Sequence, residues 1–185
     1  MKIVIVGCGR VGASVAEAYD RTGHGVVILD MVTSAFDRLP ATFGGQAIRG
    51  DGTDEDVLRR AGADGADVFI ALTEGDNRNI MAAQLANEAL GIERVIAKIN
   101  DPLRAKAYAE LGIATLCRTG LMLDAVDRFL GFPPTGLPGM LAPTGHHHGA
   151  HDTHVSGAAA TNNIASNSIT MTAEPNPAAT VSQEA

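Results

Sequence analysis

Short apolar runs alternate with longer segments of small and polar residues along the first 131 residues of the chain. Each apolar run predicts a buried strand, and each segment between two runs predicts a helix. The predicted strands are residues 2–6, 26–30, 46–49, 67–72, 94–99 and 113–116. The predicted helices are residues 11–19, 35–39, 54–61, 77–90 and 102–111, and most of them stop at a glycine or a proline.

Strands that alternate with helices of about ten residues are typical of right-handed βαβ units and a parallel sheet. The predicted fold class is therefore α/β, a Rossmann-like doubly wound six-stranded parallel sheet of order 3-2-1-4-5-6. A further helix is predicted at residues 120–130, with Met122, Val126, Phe129 and Leu130 along one side. No predicted strand follows for this side to cover. It either packs on its own domain or stays exposed and joins two subunits.

The composition changes beyond Gly131. Residues 131–145 are rich in proline and glycine, and residues 146–185 contain few bulky apolar side chains. Because such a segment buries too little surface to offset its ordering entropy, residues 132–185 are predicted to be a linker and a disordered tail. The tail contains His146, His147, His148, His151 and His154, which could hold a metal ion, although incidental histidines are the preferred interpretation.

Composition and charge narrow the class of function. Hydrophobic residues make up 45% of the 185 residues and aromatic residues only 4%, which is typical of a parallel sheet built from aliphatic side chains. The net charge of −7 argues against a nucleic acid as the main partner. No stretch approaches the roughly 20 apolar residues of a membrane span, and residues 2–6 are too short for a signal peptide, so a soluble intracellular protein is expected.

The first predicted strand runs directly into a glycine-rich loop, Gly7-Cys8-Gly9-Arg10-Val11-Gly12. A strand before it, a helix after it and an acidic residue at the end of the next strand are the context in which GxGxxG binds a dinucleotide. Gly7 permits the tight turn, and Gly9 lets the backbone approach a pyrophosphate. Gly12 lets the helix lie close to the sheet. The loop predicts a nucleotide site.

Three side chains near this loop carry more specific predictions. Asp30 ends the second strand, and its carboxylate is predicted to accept both hydroxyls of a ribose; with no cation before Arg38, a 2′-phosphate is disfavoured. Arg10 could reach a terminal phosphate of ADP or ATP as a forked donor, or it could simply face solvent. Cys8 is interpreted as a small packing residue, with redox sensing at a helix N-terminus as the alternative.

Polar residues also follow the third, fourth and fifth predicted strands, where open α/β sheets bind ligands. Asp51 is predicted to accept the amino group of adenine, and Lys98 to direct a cation at phosphate. The plain alternatives are a turn or cap residue for Asp51, a cap for Thr73 and a surface charge for Lys98. The full candidate cofactor-binding set is Gly7, Cys8, Gly9, Arg10, Val11, Gly12, Asp30, Met31, Asp51, Gly52, Thr53, Thr73, Glu74 and Lys98.

Five motifs in register resemble the RCK domain, also called KTN, which is the N-terminal domain of the regulatory subunit in Trk/Ktr potassium uptake systems. They are GCGRVG, VVILD, GDGTDEDVLRRAG, ALTEGDNRNIMAAQLA and VIAKINDP, and the resemblance covers residues 1–131. It implies ligand contacts by Gly7, Gly9, Arg10, Gly12, Asp30, Asp51, Thr73 and Lys98, with Arg10 at the terminal phosphate. It also implies that dimers exchange contacts through residues 120–130.

The same resemblance implies a cytoplasmic protein that binds NAD(H) or ATP/ADP. Such a protein assembles as dimers and then a ring, possibly with a paralogous regulatory subunit, and lies against the inner face of the plasma membrane beneath a membrane potassium-translocating subunit. Two departures matter. The predicted tail replaces the second lobe that many members carry, and Arg118-Thr119-Gly120 stands where some members place a cation-binding Glu. Regulation through such a lobe is therefore in doubt, and no cation site is predicted.

The main alternative is an NAD-dependent oxidoreductase, because the glycine fingerprint is shared with that class of enzyme. Hydride transfer needs a substrate pocket and a placed acid or base, usually from a second domain. The one histidine within residues 1–131 is His24, in a turn between a helix and a strand. The sequence therefore favours a regulator over an enzyme.

Overall fold

A computed structural model describes residues 1–134, 136 and 139–143. The strands are β1 Lys2–Val6, β2 Gly25–Asp30, β3 Gln46–Arg49, β4 Val68–Ala71, β5 Val95–Lys98, β6 Ala114–Leu116 and β7 Met140–Leu141. The α-helices are α1 Arg10–Arg21, α2 Glu55–Arg60, α3 Asp76–Gln84, α4 Pro102–Glu110 and α5 Arg118–Leu130. A 3₁₀ helix covers Thr33–Arg38, and Leu85–Ala89 extends α3 as a turn of π-helix.

The strands form one sheet of order β3-β2-β1-β4-β5-β6-β7. The first six are parallel, which confirms the predicted fold class and strand order. The expectation that no strand follows β6 is wrong, because β7 pairs antiparallel with β6 through Thr115 and Leu141. Two residues within a proline- and glycine-rich segment are too few to show the alternation that predicts a strand.

The core lies on both faces of the sheet, as the continuous apolar runs of the central strands require. Val4, Val6 and Phe69 face one side, where side chains of α2, α3 and α4 cover them. Ile3 and Ile5 face the other side, under α1 and the 3₁₀ helix. The carboxyl ends of the central strands are therefore held between two covered faces and open only along one edge.

Aspartate side chains cap two of the helices, in agreement with the predicted starts. Asp54 accepts a hydrogen bond from the Val57 amide at 3.1 Å, and Asp101 accepts one from the Leu103 amide at 2.9 Å. In contrast, the N-cap residue of α1 is Gly9, which has no side chain to cap the helix, and the first turn of α1 contains no acidic residue. The amide groups at the start of α1 are thus left without a side-chain acceptor.

None of the helices within the described residues is both long enough and apolar enough to cross a membrane. The longest, α5, has 13 residues and carries charged side chains.

Two glycines allow the loop after β1 to touch its neighbours backbone to backbone. Gly7 has a φ of +104°, and a Cβ there would lie 2.8 Å from the amide nitrogen of Thr73. A Cβ on Gly12 would overlap the carbonyl oxygen of Gly7. A Cβ on Gly9 would meet no atom within 4 Å. Packing within the chain therefore requires glycine at Gly7 and Gly12 and leaves Gly9 unconstrained.

Gly12→Ala is expected to destabilise the fold by about 3 kcal/mol or more, because the added methyl group must displace backbone. Gly9→Ala, the matched control, should cost about 1 kcal/mol or less, the difference between glycine and alanine at a helix N-cap. Urea unfolding of both variants measures this. Equal losses of unfolding free energy would contradict the packing described here.

Candidate functional site

A cavity of about 450 Å³ lies at the carboxyl ends of the central strands. It brings together most of the residues predicted from sequence, which are Gly7, Cys8, Gly9, Asp30, Met31, Asp51, Gly52, Thr73 and Glu74. These residues follow four different strands, so the parallel order of the sheet places them at one edge. The cavity lies beside the uncapped start of α1, where amide groups and the helix dipole favour an anion.

The remaining predicted residues do not line this cavity. Gly12 packs beneath the loop, and Thr53 is held by Asp51. Arg10 and Val11 are exposed on α1 and line a separate shallow groove that runs along the helix to Tyr19.

Lys98 is half-buried at the end of β5, on the far side of β4 from the cavity. Burial lowers the pKa of its ammonium group, and the nearby Arg118 lowers it further, whereas Asp76 and Glu74 raise it. Lys98 is thus neither a cavity residue nor a simple surface charge, because it lies among charged side chains at the starts of α3 and α5.

Asp30 ties the glycine loop to the end of β2. One of its carboxylate oxygens accepts a hydrogen bond from the Cys8 amide at 2.7 Å, and the other accepts one from the Val32 amide at 2.9 Å. Each oxygen of a carboxylate has room for a second donor, so a ligand hydroxyl can still bind. Asp30 therefore holds the loop in place and keeps accepting capacity toward the cavity.

Cys8 is fully buried although it lies within the loop. Its thiol points at the carbonyl oxygen of Ala35, 3.4 Å away. Burial raises the pKa of the thiol, the Asp30 carboxylate raises it further, and Arg38 opposes both. Burial of the thiol and its raised pKa favour the packing interpretation over the redox-sensing alternative, which requires an accessible thiolate. Cys8 is a packing residue.

Asp51 is held by Thr53 in a turn after β3. The same Asp51 oxygen accepts hydrogen bonds from the Thr53 amide at 2.9 Å and from the Thr53 hydroxyl at 2.8 Å. These two bonds lower the pKa of the Asp51 carboxyl, burial opposes them, and the positive charge of Arg78 adds to the lowering. The turn interpretation and the binding interpretation of Asp51 are compatible, because its second oxygen accepts neither of these bonds.

Asn79 was not predicted from sequence, and it supports the site from behind by holding the cavity residue Thr73. It lies in α3 with 0% of its surface exposed, and its side chain joins the ends of β4 and β5. Its oxygen accepts from the amide and the hydroxyl of Thr73, at 2.8 and 2.7 Å. Its nitrogen donates to the carbonyl oxygens of Thr73 and Lys98, at 3.1 and 2.8 Å. A polar residue in a helix gives no sequence signal of such burial.

Two cations that were not predicted, Arg38 and Arg78, also line the cavity. Arg38 ends the 3₁₀ helix, where its guanidinium donates to the Ala35 carbonyl oxygen at 3.2 Å. Arg78 reaches the cavity from the first turn of α3. The cavity thus combines main-chain donors of the loop with carboxylates and guanidinium groups, a set that can hold phosphate and hydroxyl groups of one ligand.

The apolar side of α5 is exposed. Phe129 is 89% exposed and Met122 is 64% exposed, and Val126 and Leu130 are exposed beside them. Among the residues that the structure describes, this side is not covered by the domain, which favours the alternative that it joins two subunits.

No group of three or more His, Cys, Asp or Glu side chains that could hold a metal ion occurs in the part of the chain that the structure describes. The predicted disordered tail and its five histidines lie outside the described residues.

Comparison with known proteins places these features in a family. The model of the TrkA-N domain matches residues 3–119. The Trk system potassium uptake protein TrkA of Streptomyces coelicolor is 44% identical over 145 residues, which are 78% of this chain and 65% of that protein. The TrkA homolog of Pyrococcus abyssi is 37% identical over 111 residues, 60% of this chain and 49% of that protein. The chain thus spans only part of the length of these relatives.

Solved structures share the fold at lower identity. The TrkA-N domain of the inner membrane protein ybaL from Escherichia coli has a TM-score of 0.62 at 19% identity, covering 70% of this chain and 96% of that one. The Shewanella denitrificans Kef CTD in its AMP-bound form has a TM-score of 0.57 at 22% identity, covering 74% of this chain and 86% of that one. These two likenesses show the fold alone.

The bonds to Asp51 predict a pH dependence of stability. Because the pKa of Asp51 in the folded chain lies below its ordinary value of 3.8, the ionised carboxylate stabilises the fold. That contribution is fully present at pH values well above 3.8, begins to decrease as the pH approaches 3.8, and is lost as the pH falls through the folded pKa. The unfolding free energy of wild type minus that of Asp51→Asn, measured in urea between pH 3 and 7, should be constant above about pH 5 and decrease below it. A difference that grows toward acid would show that the carboxylate is not stabilised in the fold.

Proposed function

The chain belongs to the TrkA-N domain family, and we propose that it is a cytoplasmic nucleotide-sensing regulatory subunit of a potassium uptake system. It binds NAD(H) or ATP/ADP at the glycine loop and gates a membrane potassium-translocating partner. The observation that carries the proposal is the uncapped start of α1, which lies against the cavity that Asp30 also lines. The names of the relatives as potassium uptake proteins and the AMP-bound form of a solved structure with this fold support it.

The nucleotide fits the cavity in a defined direction. Its pyrophosphate lies on the loop, where Gly9 leaves open space for close approach of the phosphate to the backbone. Its adenosine ribose binds the remaining accepting sites of Asp30, and its adenine extends toward Asp51. The loop backbone, Asp30 and Asp51 all line the cavity, and each can still form a hydrogen bond with a ligand.

Arg10 senses the terminal phosphate. Its guanidinium has no hydrogen-bond or ion-pair partner among the described residues, and it stands at the first position of α1, outside the cavity. To contact a phosphate group that extends beyond the glycine loop, the side chain of Arg10 has to rotate toward the loop. ATP and ADP therefore differ in how strongly they engage Arg10.

The proposed mechanism is a shift between conformations of paired domains. Two copies join through the exposed side of α5, and further assembly gives a ring beneath the membrane partner, possibly with a paralogous subunit. A nucleotide favours one geometry of the pair by the difference in its contacts in the two states. The protein then lies at the inner face of the plasma membrane through its partner.

The nucleotide proposal predicts thermal stabilisation that depends on the loop. Saturating ATP, ADP, NADH and NAD⁺ should each raise the melting temperature of the full chain, since binding to the folded state alone stabilises it. Gly9→Ala should keep the fold and lose at least tenfold in affinity, because its methyl group occupies the space above the loop. Arg10→Ala should abolish the excess shift of ATP over ADP and leave the NADH shift intact.

The control for these shifts is Arg21→Ala, which removes an exposed arginine from the other end of α1. Unchanged melting temperatures with all four nucleotides in wild type would refute the nucleotide site. Steady consumption of NADH with common carbonyl substrates would instead support the oxidoreductase alternative.

If two copies join through the exposed side of α5, Phe129→Asp should shift the monomer–dimer equilibrium toward the monomer. A charge at the centre of an apolar contact loses the burial of a large aromatic side chain and adds desolvation of a carboxylate. Light scattering coupled to size-exclusion chromatography measures the mass. Leu103→Asp, at a position of α4 that is 82% exposed, serves as the control and should leave the pair intact. A wild-type chain that elutes as a monomer at 100 μM would contradict pairing through α5.

A further inference from the structure

The hydroxyl proton of Thr73 is directed into the protein rather than into the cavity. Thr73 Oγ1 lies 2.7 Å from the Asn79 side-chain oxygen and 3.4 Å from the Gly75 carbonyl oxygen. Both neighbours are acceptors, so the hydroxyl must be the donor in either contact. A threonine hydroxyl has a single proton, and that proton is already used.

The neighbours of the Asn79 amide allow one orientation of its oxygen and nitrogen. Its nitrogen faces two carbonyl oxygens, of Thr73 and Lys98, and both need a donor. Its oxygen faces the Thr73 amide, which needs an acceptor. If the amide were flipped, its nitrogen would face the Thr73 amide and its oxygen would face the two carbonyl oxygens. Because Asn79 is 0% exposed, water could not replace the hydrogen bonds lost in this way.

The hydroxyl of Thr73 therefore has no proton left to donate to a ligand in the cavity that Thr73 lines, and it can act there only as an acceptor. Its neighbour Glu74 lines the same cavity with a carboxylate, which is also an acceptor. A phosphate oxygen beside Thr73 and Glu74 would meet lone pairs and a negative charge, offset only where the guanidinium of Arg78 reaches it. A hydroxyl or amide group would instead meet an acceptor.

The place concerned is directly beside the phosphate loop. The backbone of Gly7 touches that of Thr73, and β4 is the neighbour of β1 on the side opposite β2. Asp30, at the end of β2, is proposed to hold the adenosine ribose on the other side of the loop. A ligand that continues past its pyrophosphate, away from the adenosine, consequently reaches Thr73.

We propose that Asn79 is a positioning residue that commits Thr73 Oγ1 as an acceptor, so that this end of the cavity selects a ribose hydroxyl or a similar donor over a phosphate oxygen. The proposal rests on the nucleotide binding proposed above and sharpens its ligand class. The preferred ligand carries a hydroxyl-bearing group beyond the pyrophosphate, as a dinucleotide does. A nucleoside triphosphate binds less well than a dinucleotide, because its terminal phosphate gains no contact with Thr73 and Glu74 and turns toward Arg10 instead.

The test compares ADP, ATP and ADP-ribose by isothermal titration calorimetry on the full chain. ADP-ribose is ADP extended by one sugar, so it adds donors without adding a base. Wild type should bind ADP-ribose about fivefold more tightly than ADP, the effect of one neutral hydrogen bond. Thr73→Val, which has the same shape without the hydroxyl, should lose that preference and bind ADP as wild type does. Thr73→Ser keeps the hydroxyl and should retain it.

Asn79→Ala tests the positioning role itself. Without the amide oxygen, the Thr73 hydroxyl is released from its short bond, and the ratio of ADP-ribose to ATP affinity should fall by a factor of about three or more. A purely structural role for Asn79 would lower both affinities and leave their ratio unchanged. If Asn79→Ala does not fold, the Thr73→Val and Thr73→Ser pair still decides the question.

Four results would overturn the assignment. The first is that ATP binds to the wild type at least as tightly as ADP-ribose does. An equal loss of ADP and ADP-ribose affinity in Thr73→Val is the second. The third is failure of all three ligands to bind, which would also overturn the nucleotide site. Binding of all three that is insensitive to Thr73 would remove this assignment and leave the proposed function standing.

Discussion

The contact between the first turn of α1 and the loop that precedes it sets the geometry of the whole site. Gly12 lies against the carbonyl oxygen of Gly7, and Gly7 in turn lies against the backbone of Thr73 at the end of β4. No side chain fits between these segments. The start of α1 is consequently pressed onto the ends of β1 and β4, and its unpaired amide groups lie beside the cavity. Any residue larger than glycine at Gly12 would move the helix and the cavity wall together.

Hydrogen bonds around this contact hold the neighbouring strand ends to it. Asp30 fastens the Cys8 amide to β2, and Asn79 fastens Thr73 to β5. Asp76 accepts bonds from Asn100 and Asp101, which ties the start of α3 to the loop after β5. The side chains that connect the strand ends, such as Asp30 and Asn79, thus determine which hydrogen-bond donors and acceptors of the site remain available to a ligand. Binding preference at such a site follows from how the fold uses its polar groups.

The sheet and much of the site were predictable from sequence because they depend on local patterns. β1 and β3 match their predicted bounds, and α2 and α4 start within one residue of their predicted starts. The residues that were missed depend on tertiary placement. Asn79 reads as an ordinary polar helix residue, and only the packing of α3 on β4 and β5 buries it. Arg78 lines the cavity because α3 starts beside it. Lys98 lies outside the cavity because β5 is separated from β1 by β4. Met140–Leu141 become a strand only because β6 offers a free edge.

The proposed regulation depends on the binding of an adenine nucleotide on the glycine loop between Asp30 and Thr73. Its most direct test is a titration of the ¹⁵N-labelled full chain with ADP, followed through the backbone amide resonances. Saturable shifts are expected for the amides of Gly9 and of Cys8, which Asp30 holds. Shifts confined to the groove along α1 toward Tyr19, or no saturable shifts at all, would contradict it.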